Sequence, residues 1–168
     1  MKISVHALSV DIFTHVLGSL SAILEKGTVL AATKKFDSSV LVASRLAPDM
    51  LPLARQVQIA CDTAKNGAAR LAGVEAPRFE DNEKSIEELR TRIARTIDYL
   101  KTIPVSAFEG AEQRDIKVPA GERTLEFKGL AYLQRWALPN LFFHATTAYN
   151  ILRHNGVEIG KRDYLGGL

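Results

Sequence analysis

Cysteine occurs once, as Cys61, in a chain of 168 residues. A single thiol excludes an internal disulfide and fits a reducing compartment. Charge of one sign is also lacking: the formal net charge is +3, with Lys and Arg scattered rather than striped. That argues against nucleic acid, whose binders carry a basic face. No continuous apolar run reaches the ~20 residues needed to span a bilayer. The N-terminal stretch is broken by His6, Ser9 and Asp11, so it does not read as a signal peptide. There is no phosphate-cradling Gly-rich loop, no nucleophile elbow, no HExxH and no CxxC. The expectation is a cytoplasmic protein with no nucleic-acid and no membrane partner.

What is present is the composition of a single soluble domain over residues 1–168, 46% hydrophobic and 24% charged. Helical periodicity dominates. Val5, Leu8, Ile12, Val16, Leu20 and Ile23 make one apolar stripe, and Lys26-Gly27 is the expected stop. A second helical region spans about Ser38 to Leu71. Pro48 and Pro52 interrupt it, and the expectation is either a kink or a break near Ala47, with Pro48 opening a new helix. Its stripe of Leu53, Val57, Ala60, Ala64, Ala68 and Leu71 is rich in alanine, so a neighbouring helix can come close.

The third helix has a capping box, Ser85-x-x-Glu88, ahead of the stripe Ile86, Leu89, Ile93, Ile97 and Leu100. Glu87, Arg92, Arg95 and Asp98 read as its solvated outer face. Ile116, Val118, Leu125 and Phe127 then recur at spacing two around Pro119-Ala120-Gly121, which predicts a short hairpin or ordered loop. A short helix over Leu130–Trp136 precedes a last helix, from Pro139-Asn140 to about His154. The tail after Gly156 reads as extended along the surface. Four main helices point to an all-α four-helix bundle with the hairpin before its last helix.

The chemistry candidates centre on His144, on the flank of the stripe Leu141, Ala145, Ala148 and Leu152. The plainer reading is a half-buried histidine hydrogen-bonded to another helix; the sharper one is a metal ligand or catalytic base. A catalytic zinc needs about three protein ligands, and His154, ten residues on, is turned about 80° and shifted about 15 Å along the axis. His154 reads as a cation at a helix C-terminus, and His6 and His15 as edge residues of the first stripe. Gln56 lies on a flank from which it can point inward. Asp49 sits at the proline-marked break, either as a helix N-terminal acid or as part of a site. Tyr149 reads first as an ordinary core-edge tyrosine, with a hydroxyl presented to a pocket as the alternative. Asp62 points away from the stripe of its helix, and Cys61 falls inside the apolar arc as a buried thiol.

Three stretches, MKISVHALSVDIFTHVLGSLSAILEKG, RLAPDMLPLARQVQIACDTAK and ALPNLFFHATTAYNILRHNGVEIGKRDYLG, together resemble an uncharacterised domain-of-unknown-function family of bacterial and fungal proteins. That family is placed in the DinB/YfiT-like superfamily of metalloenzymes. The resemblance implies a DinB-like four-helix bundle, commonly a homodimer. In the superfamily a divalent metal is held by one histidine of the second helix and an HxxxH pair on the last, for thiol transfer or maleylpyruvate isomerisation. Carried over, His144 matches one histidine of the pair. Ala148 stands at the other position, and the second helix holds no histidine. The resulting expectation is a small-molecule-binding or stress-related module with a degenerate metal site and no resident cofactor. The alternative is a zinc or nickel enzyme of the thiol-transferase or isomerase type, with a rearranged site around His144. The small molecule is unidentified in either case.

Overall fold

A computed structural model describes residues 4–167; Met1–Ile3, which open the first quoted stretch, and Leu168 lie outside them. The protein is mostly helical, with a two-stranded sheet. Helix α1 (Ile12–Lys34) is entered through a π-helical stretch, Ala7–Asp11. A short α2 (Ser39–Ala43) leads to α3 (Leu53–Ala72), and α4 (Ile86–Thr102) follows a long connection. Strands β1 (Asp115–Ala120) and β2 (Arg123–Lys128) form the hairpin. A short α5 (Gly129–Tyr132) passes through a π-helical stretch, Leu133–Ala137, into α6 (Leu138–His154). A one-turn α7 (Lys161–Tyr164) lies in the tail. The four long helices pack pairwise, α3 against α6 and α4, and α1 against α4 and α6.

Helix α1 does not stop at Lys26-Gly27. It continues to Lys34 and ends on Lys35, in the left-handed region at φ 58°. Gly27 is buried, and a Cβ placed there would lie 3.3 Å from both Ile86 Cδ1 and Leu152 Cδ2. The residue is small because two helices crowd it, and packing outweighs its preference for a helix end. The helical stretch Ala7–Lys34 contains an 18-residue window of mean hydropathy 1.6, long and apolar enough by composition to cross a membrane. Half of that window is buried within the protein, where Phe13, Leu17, Leu20 and Leu24 belong to the core.

Pro48 opens no helix. The chain from Ser44 to Pro52 is irregular, and α3 starts at Leu53. The Leu53 amide donates to the Ser44 carbonyl at 2.9 Å, which closes this excursion on itself. At α4 the expected capping box is present, with Glu88 N to Ser85 Oγ and Ser85 N to Glu88 Oε2 both at 3.1 Å. The hairpin pairs Ile116 with Phe127 and Val118 with Leu125. Gly121, at φ 61°, makes the turn. Ile116 and Val118 are buried on the helices, which such a small sheet requires.

The helix expected over Leu130–Trp136 and the last helix are continuous. Pro139 lies in the first turn of α6; it lacks an N–H, and the π-helical turn ahead of it accommodates the proline ring. The tail is not merely draped on the surface. Val157 and Ile159 are buried, Lys26 Nζ meets Asp163 Oδ1 at 2.5 Å, and Thr146 Oγ1 donates to the Tyr164 hydroxyl at 3.0 Å.

Candidate functional site

The antiparallel contact of α3 with α6 brings Gln56 and His144 together. His144 Nδ1 lies 2.7 Å from Gln56 Oε1, and Gln56 Nε2 donates to the Leu51 carbonyl at 3.0 Å. This chain of bonds assigns the protons. The amide nitrogen of Gln56 is committed to Leu51, so its oxygen faces the imidazole, and Nδ1 must carry the hydrogen. The lone pair of His144 is therefore on Nε2. Burial of the ring lowers the His144 pKa from its usual value, because desolvation disfavours the charged form. The Phe143 ring meets His144 edge-on, with centroids 5.2 Å apart, and Phe143 itself is 58% exposed. The arrangement is a neutral, oriented hydrogen-bond acceptor beside an exposed aromatic ring. Chemically it can accept a proton or a hydrogen bond.

The other sequence candidates are dispersed. Asp49 is exposed in the irregular turn before α3 and is bonded to neither Gln56 nor His144 among the described residues. Tyr149 packs its ring edge-on against Tyr164, with centroids 6.0 Å apart. Five residues from His144, it points about 140° away around the axis of α6. Cys61 is fully buried, and desolvation pushes its thiol up to about 12. His6 lies edge-on to Phe108, while His15 and His154 are exposed.

The donor set does not fit the metal that the resemblance implies. His144 could offer Nε2 as one ligand, but the residue of α3 that faces it is the neutral amide of Gln56. Ala148 is buried in the core with no donor to give. Among the described residues no group of three His, Cys, Asp or Glu side chains is placed to hold a metal ion, which leaves His144 short of the usual three ligands.

Sequence reading missed the strongest electrostatic feature. Arg92, assigned to the solvated face of α4, is 1% exposed. Its guanidinium meets Asp62 at 3.1 Å, Asp81 at 2.9 Å and Glu83 at 3.0 Å, and donates to the Glu80 carbonyl at 2.8 Å. Burial alone would lower its pKa, but the Glu83 hydrogen bond and the charges of Asp62 and Glu83 hold it above the usual arginine value. Asp62 does leave the core, as its helical phase predicts, but toward α4; Lys65 pairs with it at 3.0 Å. The only signal in the sequence was the position of Arg92 on the flank of the Leu89–Ile93 stripe. The acids of the α3–α4 connection that turn this flank into an interior carry no pattern of their own.

The sequence profile of a family described as "Domain of unknown function (DUF1993)" matches residues 5–165. Among solved structures, the chain is similar to a crystal structure of a DinB family member protein from Shewanella denitrificans. The two are 47% identical with a TM-score of 0.91, over 97% of this chain and 92% of that one. No curated protein matches.

Proposed function

The chain belongs to the DUF1993 family, a domain of unknown function, and from that premise we propose a DinB-like small-molecule-binding module built on a four-helix bundle. In this reading His144 works as a neutral hydrogen-bond acceptor, without a metal. One observation carries it: the 2.7 Å contact with Gln56 Oε1 protonates Nδ1 and leaves Nε2 as the working atom. The matching ligand is an uncharged molecule with an N–H or O–H donor and an apolar body to lie on Phe143.

A second reading rests on the same imidazole. A ligating histidine commonly donates its other ring N–H to a fixed acceptor, and Gln56 supplies one. A metal enzyme of the thiol-transferase or isomerase type would then need ligands from outside the described set. Elemental analysis of untagged protein separates the two, together with thermal shift in added zinc and nickel. Absence of metal and of any shift supports the first reading. About one zinc or nickel per chain, lost in His144→Ala, sinks it in favour of the second, since a bound ion stabilises the native state by mass action.

A homodimer is part of the proposal. Phe142 and Leu165, 40% and 39% exposed and lining one shallow apolar depression, supply surface that a second copy would cover, leaving Phe143 to the ligand. Sedimentation velocity that finds a monomer at all accessible concentrations would remove this element and leave the ligand reading intact.

A further inference from the structure

The connection after α3 folds back over that helix and lines an open, solvent-facing cavity of about 560 Å³. Its walls include Lys65, Asn66, Arg70, Glu75, Arg78 and Phe79, so three cations face it against one carboxylate. Lys65 is already paired with Asp62. Arg70 and Arg78 have no carboxylate within ion-pair distance among the described residues. Arg70 is oriented instead: its Nη1 donates to the hydroxyl of Tyr132 at 3.2 Å, and Tyr132 is 1% exposed. A guanidinium held by a buried phenol is presented in a set direction, which lowers the ordering cost of binding. The carbonyl end of α3 opposes an anion here. Two of its last carbonyls are already capped, Arg70 O by the Gly73 amide and Ala69 O by the Val74 amide.

We propose that this cavity is a binding site for a small oxyanion, a carboxylate or a phosphate, with Arg70 and Arg78 as its charged contacts. The volume falls in the ~300–1,000 Å³ range of small-molecule pockets, which favours a small ligand over a polymer. Phe79 forms one wall, and cations already stack on its ring: Lys65 at 4.4 Å and Arg95 at 4.3 Å from the centroid. The site is separate from His144. Arg70 lies fourteen residues beyond Gln56, about 21 Å along α3.

The test is isothermal titration at constant ionic strength with two probes, inorganic phosphate and benzoate, balanced by chloride. Wild-type protein is expected to bind at least one of them at one site per chain, and the stronger of the two identifies the anion class. The double variant R70Q/R78Q should lose about tenfold or more in affinity, the scale of lost charge-assisted contacts. Tyr132→Phe, which keeps the ring and removes the orienting oxygen, should weaken binding several-fold. His144→Ala should bind as wild type. If circular dichroism shows the double variant unfolded, Arg78→Gln alone carries the comparison, because Arg78 is exposed. The proposal is overturned if neither anion binds up to about 10 mM, or if the arginine variants bind as wild type. A loss of binding confined to His144→Ala would move the site to α6 and equally overturn it.

Discussion

Gln56 and His144 stand 88 positions apart in the chain, yet Oε1 of one lies 2.7 Å from Nδ1 of the other. The amide oxygen accepts from the ring in either protonation state but carries no charge, and burial brings the pKa down. A carboxylate in its place would oppose that fall. Gln56→Glu is expected to raise the His144 pKa, because a negative charge at hydrogen-bond distance favours the imidazolium. Titration of the ring by heteronuclear NMR checks this. The wild-type spectrum should show Nε2 as the unprotonated nitrogen at neutral pH, and a protonated Nε2 with bare Nδ1 would contradict the assignment.

The same shift predicts a pH dependence of stability. His144 has a lower pKa folded than unfolded, so the unfolded chain binds the proton more readily and stability rises with pH in this window. The contribution is fully favourable above the unfolded value of about 6.5. It declines as pH falls below that toward the folded pKa, and then levels off. Denaturant melts of wild type and His144→Gln between pH 7.5 and pH 5 (about two and a half units, spanning the histidine range) should diverge, the variant being the flatter. Parallel curves would mean that the ring does not titrate with unfolding.

Arg92 neutralises carboxylates from α3 and from the α3–α4 connection at once. Arg92→Leu removes the cation that Asp62, Asp81 and Glu83 share; Asp62 keeps Lys65 and Asp81 keeps Arg55, while Glu83 keeps only the Gln58 amide. Removing one partner of a fully buried pair costs about 3–5 kcal/mol. Asp62 and Asp81 keep 34% and 37% side-chain exposure, so the expected loss is smaller, about 2–3 kcal/mol. Urea denaturation measures it. The connection should also become more protease-sensitive, and an unchanged midpoint would mean that the cluster contributes nothing net.

Gly27 is enclosed by Ile86, Leu152 and Leu41. Gly27→Leu improves helix propensity but forces a branched side chain against contacts already at 3.3 Å. Overpacking is expected to win and to destabilise by about 1–3 kcal/mol. A stabilised variant would show that the neighbouring helices can move apart.

Much of the local structure was legible in the residues. The capping box at Ser85, the alanine-rich face of α3 and the alternation either side of Gly121 each depend on neighbours within a few positions. Short-range geometry decides such features: 100° per residue in a helix and alternating faces in a strand. The sequence alone thereby determined where most helices and the hairpin lie, and that His144 occupies the flank of an apolar stripe.

Tertiary packing decided the rest. Gly27 carries a stop signal when read locally, and only the approach of Ile86 and Leu152 shows why the helix runs through it. Arg92 has the helical phase of a flank residue. Whether a flank meets water or another segment depends on where the connection from Gly73 to Lys84 folds, and no periodicity encodes that path. The proton on His144 is the finest case. It is set by an amide on another helix, whose own orientation is set by the Leu51 carbonyl. Hydrogen bonds act over about 3 Å in space with no regard for separation in sequence, so the chemistry of this imidazole exists only in the folded chain.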